Sequence, residues 1–336
     1  MTSRAAVIGA GSWGTALGNL LAGKGIDTVV WSYERDVADS INREHVNRKY
    51  LDGIELAPAM RATPDMAEAV RGADLVLSVS PSHVVRQVMA QAAEHMDDGA
   101  LLVSASKGIE NDSLKTMDGV LADVLPERAA RSACFLSGPS FAMEVGRGFP
   151  TAVTIASHDA DAAVRARDAF QTARFRVYTS ADVAGVELGG AVKNVIAIAA
   201  GTVEGMGFGF NTQAALITRG LAEITRLGRA LGADPRTLAG LAGIGDLMLT
   251  CMGGLSRNRT VGVELGRGRK LDDILGGMVM VAEGVKTARS ERDLARRMEI
   301  EMPIVEAVYS MLFEELDPRR AVEQLMLREP KPEQPE

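Results

Sequence analysis

The residues best equipped for chemistry in this 336-residue chain are a lysine and an asparagine set in apolar surroundings. Lys193 and Asn194 lie within Gly185-Val-Glu-Leu-Gly-Gly-Ala-Val-Lys-Asn-Val-Ile-Ala-Ile-Ala-Ala-Gly201, small and apolar nearly all round at helical spacing. The positions three and four residues either side of Lys193 hold Gly189, Gly190, Ile196 and Ala197, so no acid on its own helix pairs with it. A buried ammonium must lower its pKa or find an anion. Its Gly and Ala neighbours offer no bulk to cover a snorkelling stem, and they leave room for a ligand.

Other polar groups recur at places suited to anions. Lys107 precedes Gly108 at a strand end, and Ser140 in Ser137-Gly-Pro-Ser-Phe-Ala142 is placed to cap a helix. Asp246 in Gly243-Ile-Gly-Asp-Leu247 is either an N-cap or a counter-charge that keeps Lys193 protonated. Ser256-Arg-Asn-Arg-Thr260 combines two guanidinium groups, an amide and hydroxyls, a donor set for phosphate oxygens rather than for a metal. There is no H-E-x-x-H and no cysteine pair at zinc spacing, and His83, without an evident orienting carboxylate, reads as structural.

The elements that must position these groups begin with Arg4-Ala-Ala-Val-Ile-Gly-Ala-Gly-Ser-Trp-Gly14. A strand runs into G-x-G-x-x-G (Gly9, Gly11, Gly14), then a helix pattern, then the second apolar run Thr28-Val-Val-Trp31. In that context the glycines predict a dinucleotide site: Gly9 for the turn, Gly11 for close backbone approach, Gly14 for helix–strand packing. The second strand ends Trp31-Ser32-Tyr33 without an acid at its tip, and Arg35 could hold a 2′-phosphate. NADP is therefore favoured, while Glu34 keeps NAD open.

Further strands over 74–80, 100–106, 132–137, 152–156 and 175–178 alternate with helical stretches, predicting a doubly wound, mostly parallel α/β sheet. Ser80, Lys107 and Ser137–Ser140 fall at strand ends and so share one rim. After about residue 182 the strand signal stops. The expected organisation is a nucleotide-binding domain over 1–182, an all-helical domain over 183–327 opened by the Lys193 helix, and a disordered Pro- and charge-rich tail over 328–336.

Composition narrows the partners. Hydrophobic content of 46% with 24% charged residues describes a soluble globular protein, and a net charge of -7 argues against nucleic acid. Membrane insertion is not expected, because Glu187, Lys193 and Asn194 interrupt the most apolar run, short of about 20 clean apolar residues. Two widely separated cysteines, Cys134 and Cys251, and a strand starting almost at the N-terminus point to the cytoplasm. Apolar helices in the second domain make a homodimer the expected assembly.

The motifs together resemble bacterial NAD(P)-dependent sn-glycerol-3-phosphate dehydrogenases over about residues 4–327. They are Val7-Ile-Gly-Ala-Gly-Ser-Trp-Gly14, Pro81-Ser-His83, Ser106-Lys-Gly108, Ser137-Gly-Pro-Ser-Phe-Ala142, Leu188-Gly-Gly-Ala-Val-Lys-Asn-Val195, Gly245-Asp-Leu247 and Ser256-Arg-Asn-Arg259. The resemblance implies a Rossmann-like domain followed by a helical domain of the 6-phosphogluconate-dehydrogenase type. It implies reversible reduction of dihydroxyacetone phosphate, a triose phosphate, to sn-glycerol 3-phosphate for glycerophospholipid synthesis. Lys193 would be the proton donor and acceptor. Gly9, Gly11, Ser12, Trp13, Gly14, Tyr33, Lys107, Ala142, Arg257, Val281 and Glu283 would line the cofactor. Lys107, Gly138, Ser140, Lys193, Asp246, Ser256, Arg257 and Asn258 would meet the substrate. The alternative within the same superfamily is an NADP-dependent dehydrogenase of a small β-hydroxy acid, which also uses a helix lysine.

Overall fold

A computed structural model describes residues 2–278, 280, 282–330, 332 and 333. Eight strands build one sheet: β1 (Arg4–Ile8), β2 (Asp27–Trp31), β3 (Met60–Thr63), β4 (Leu75–Ser78), β5 (Leu101–Ser104), β6 (Cys134–Ser137), β7 (Thr151–Ser157) and β8 (Phe175–Ser180). Their order is β3-β2-β1-β4-β5-β6-β7-β8, parallel throughout except between β6 and β7. Helices cover both faces, so the central strands read as continuous apolar runs. Leu17, Leu21 and Phe170 pack one face, and Val85, Met89 and Leu121 the other. β3 escapes the sequence pattern because Met60-Arg-Ala-Thr63 is too short and too polar to register as an apolar run.

The strand order reverses at β1, which lies between β2 and β4. Such a reversal leaves a crevice beyond the carboxyl ends of the strands. Gly9 N donates to Trp31 O at 3.2 Å and Val79 N to Ile8 O at 3.0 Å, so the three strand ends meet there.

The helix Val183–Gly205 follows the sheet, its first turn capped by Asp182, whose Oδ1 accepts from Gly185 N at 2.9 Å. It is long and apolar enough to cross a membrane by length and composition, yet 89% of its most apolar window is buried inside the fold. Val192, Val195, Ile196 and Ile198 join Ile224, Leu227, Val261 and Leu294 in one core, so its apolarity serves packing. Its closest partner is the helix Arg257–Gly266, and glycines allow the approach. A Cβ on Gly201 would lie 2.1 Å from Arg259 O, and one on Gly262 2.0 Å from Ile198 O. Further helices include Phe210–Ala230, Asp246–Met252, Glu283–Arg297, Pro303–Phe313 and Pro318–Met326. Within the stretch expected to be disordered, Arg328 lies 3.3 Å from Glu301 Oε2, and Glu333 O accepts from Arg219 at 3.2 Å.

Candidate active site

Lys193 is 7% exposed, and its partner comes from another helix. Nζ donates to Asp246 Oδ1 at 2.5 Å and to Thr250 Oγ1 at 3.0 Å. Lys107 Nζ reaches the other oxygen of the same carboxylate, Oδ2, at 2.7 Å. Asp246, 1% exposed, is thus shared by two ammonium groups, one from the β5 rim and one from the helical domain. Burial would raise its pKa, but Lys107 and Lys193 together hold it below the ordinary carboxylate value. Burial pulls Lys193 down to about 8; Asp246 opposes that shift and Lys107 adds to it. The cluster holds an amine able to change protonation near neutral pH, beside a carboxylate that stays charged.

Local geometry places Asp246. A π-helical turn, Leu241–Gly245, precedes the helix Asp246–Met252 and packs on the Lys193 helix where Gly189 lies; a Cβ there would sit 2.4 Å from Ala242 O. Gly245, not Asp246, takes the N-cap position, so the expected capping role gives way to the ion pairs. Thr250, absent from the sequence-predicted site, donates to Asp246 O at 2.6 Å and receives Lys193. Its spacing of four from Asp246 on one helix face was the available signal.

Asn194, 6% exposed, belongs to a second chain of bonds. Asn258 Nδ2 donates to Asn194 Oδ1 at 2.9 Å, and Gly284 N donates to Asn258 Oδ1 at 2.9 Å. Three helices are tied together, and Glu283 is fixed at the first position of the third. Its carboxyl pKa is raised by burial, against the lowering effects of Arg257, Lys107 and Lys193, so these four groups share one electrostatic neighbourhood.

The Ser256–Thr260 stretch divides. Ser256 Oγ caps its helix by accepting from Arg259 N at 3.2 Å. Arg257 is exposed at the helix start. Arg259, expected to add a second guanidinium to an oxyanion site, instead pairs with Glu204 Oε1 on the Lys193 helix at 2.5 Å. Ser140 donates to Gly138 O at 2.9 Å, while Phe141 holds the N-cap position of the helix Ala142–Gly146, correcting the expected cap. Gly138 has φ +142°, and a Cβ there would lie 2.9 Å from Val153 Cα.

The glycine loop fits a dinucleotide. Gly9 has φ +123°, and a Cβ on Gly14 would lie 1.9 Å from Gly9 O. Gly11 precedes the helix Ser12–Gly23 with no side-chain cap and no acid in the first turn, and nothing lies within 4 Å of where its Cβ would be. Bare amides at a helix N-terminus with open space before them suit a pyrophosphate. Ser12 Oγ lies 3.2 Å from Met280 Sδ, joining this loop to the segment before Glu283. Trp13 is half-buried against the sheet core, and Tyr33 is 86% exposed beyond β2. Val281 lies outside the described residues.

The N-terminal model of NAD-dependent glycerol-3-phosphate dehydrogenases matches residues 4–163, and the C-terminal model matches 182–323. The chain is 57% identical to a glycerol-3-phosphate dehydrogenase [NAD(P)+] of Geobacter sulfurreducens over 99% of both chains. It is 54% identical to one of Anaeromyxobacter dehalogenans over 98% of this chain and 99% of the other. The crystal structure of the Coxiella burnetii glycerol-3-phosphate dehydrogenase superposes with a TM-score of 0.92 at 38% identity, covering 97% of this chain and 99% of that one.

Proposed function

The chain belongs to the NAD(P)+-dependent glycerol-3-phosphate dehydrogenase family, and from that footing we propose how its own residues divide the work. The activity is the oxidoreduction that interconverts dihydroxyacetone phosphate and sn-glycerol 3-phosphate. A triose phosphate, rather than a β-hydroxy acid, is the substrate class. Bound NAD(P)H supplies the hydride, and NAD(P)+ accepts it in reverse.

The observation that carries the assignment is Lys193, buried and paired to Asp246, the carboxylate that Lys107 also reaches from the sheet rim. In the reducing direction Lys193 Nζ hydrogen-bonds the ketone oxygen and gives up a proton as that oxygen gains charge. In oxidation the neutral amine takes the hydroxyl proton. Asp246 keeps Lys193 charged before transfer. Lys107 keeps Asp246 compensated afterwards, so the buried carboxylate is never left without a cation. Arg257 and the remaining amide hydrogen of Asn258 hold the phosphate, with Ser256, Gly138 and Ser140 completing the substrate side. Gly9, Gly11 and Gly14 would cradle the pyrophosphate; Ser12, Trp13, Tyr33, Lys107, Ala142, Arg257 and Glu283 would complete the cofactor side.

The cellular role is supply of glycerol 3-phosphate to glycerophospholipid synthesis. The setting is the cytoplasm, an assignment supported by Cys134 and Cys251, both buried and free. The assembly is a homodimer, supported by large apolar side chains left exposed on the helical domain, among them Phe210 and Leu255. The pH dependence of both directions tests the Lys193 assignment. The kcat for ketone reduction falls as pH rises through about 8, and that for alcohol oxidation rises over the same range, matching the lowered pKa of Lys193. Flat profiles across that range in both directions overturn it.

A further inference from the structure

The end of β2 carries two opposed charges side by side. Gly9 N bonds Trp31 O at 3.2 Å, so the residues after Trp31 stand beside the glycine turn. Ser32 Oγ donates to Glu34 O at 2.9 Å, and the helix Arg35–Glu44 begins next. In folds of this kind an acid at this place bonds the ribose 2′-OH, and an arginine accommodates a 2′-phosphate. This chain has both, and their fates differ. Glu34 Oε1 accepts from Lys49 Nζ at 2.6 Å and from Tyr50 Oη at 2.9 Å. Arg35 is exposed and makes no ion pair among the described residues.

Lys49 is not a stray surface cation. Asn47, fully buried, donates through Nδ2 to Ala10 O and to Thr15 Oγ1, each at 2.8 Å, which locks its segment to the glycine loop itself. Tyr50 N donates to Asn47 Oδ1 at 3.1 Å and Leu51 N to Asn47 O at 2.9 Å, so the turn that carries Lys49 closes on the same anchor. A half-exposed ion pair of this sort adds little to stability. It does fix where the carboxylate points and cancels its charge.

We propose that Lys49 is a specificity-determining residue: by holding Glu34 it withdraws the acid that would select the ribose 2′-OH and repel a 2′-phosphate, leaving Arg35 to meet that phosphate. The pair makes the site tolerant of both cofactors and tips it toward NADPH. The proposal rests on the Gly9–Gly14 loop being the dinucleotide site.

The test is equilibrium binding of NADPH and of NADH by calorimetry, without triose phosphate, to the full-length protein and to Lys49→Ala, Glu34→Gln and the double variant. Lys49→Ala lowers the ratio of NADPH to NADH affinity about tenfold, the like-charge repulsion of a released carboxylate. Glu34→Gln raises the ratio, and the double variant returns it to the wild-type value or above. An unchanged ratio in Lys49→Ala overturns the proposal. So does a double variant as poor as Lys49→Ala, because Lys49 would then be contacting the phosphate directly. Failure of the unaltered protein to bind either cofactor removes instead the dinucleotide reading beneath the proposal.

Discussion

Two ammonium groups on one carboxylate make an arrangement whose balance can be upset from either side. Asp246 is the sole carboxylate bonded to Lys193 among the described residues, and it counters both burial and Lys107. Asp246→Asn therefore moves the pH at which Lys193 loses its proton below about 8, and kcat for reduction falls off at a correspondingly lower pH. A pH profile of that variant with its limb unmoved contradicts the pairing. The same change leaves buried Lys193 and part-buried Lys107 without that anion, so thermal denaturation also shows lower stability, by about 3–5 kcal/mol. Arg257→Ala acts elsewhere: it raises KM for the triose phosphate by one to two orders of magnitude, about the worth of a charge-assisted hydrogen bond, with kcat less affected. An unchanged KM would move the phosphate to another group. Lys193 could be singled out in the sequence because charge in an apolar run needs a reason. Arg259 could not be told from Arg257, because only the fold shows that Glu204 lies within reach of one of them.

At the scale of elements, backbone closeness between the Lys193 helix and the helix Arg257–Gly266 sets the distance between the Lys193 amine and Arg257, the residue proposed to hold the phosphate. A methyl group at Gly201 would meet Arg259 O at 2.1 Å, whereas nothing lies within 4 Å of one at Gly23. Gly201→Ala costs about 1–3 kcal/mol of overpacking and weakens triose phosphate binding by displacing Arg257. Gly23→Ala, at the end of the helix Ser12–Gly23, is neutral or stabilising by up to about 1 kcal/mol. Denaturation of the two variants side by side checks the contrast; equal stability would mean that the helices adjust freely. Strands whose faces are both buried were legible as apolar runs, and so were the glycine turn and the long apolar helix. The π-helical turn before Asp246 was not, since Leu241-Ala-Gly-Ile-Gly245 differs little from an ordinary loop. That turn decides whether Asp246 caps a helix or faces Lys193.

Across the whole molecule, the proposed site lies where the sheet rim meets the helices: Lys107 comes from the rim of the sheet, Lys193 and Asp246 from the helices. The alternation of strands and helices revealed the first half and its rim, and the loss of strand signal revealed the second. The way they close on one carboxylate depends on contacts between residues 53 and 139 positions apart, which no local pattern encodes. A ligand that binds only the folded state stabilises it by about 2.7 kcal/mol at a hundredfold excess over Kd, so saturating NADPH raises the melting temperature, and an unmoved Tm would mean that the chain does not bind it. The most direct test of Lys193 as proton donor is single-turnover hydride transfer from NADPH to dihydroxyacetone phosphate in Lys193→Met, with the Kd of NADPH measured on the same preparation. The account predicts a rate lower by about a hundredfold to ten-thousandfold with cofactor affinity close to the unaltered protein. A rate near that of the unaltered protein would contradict it.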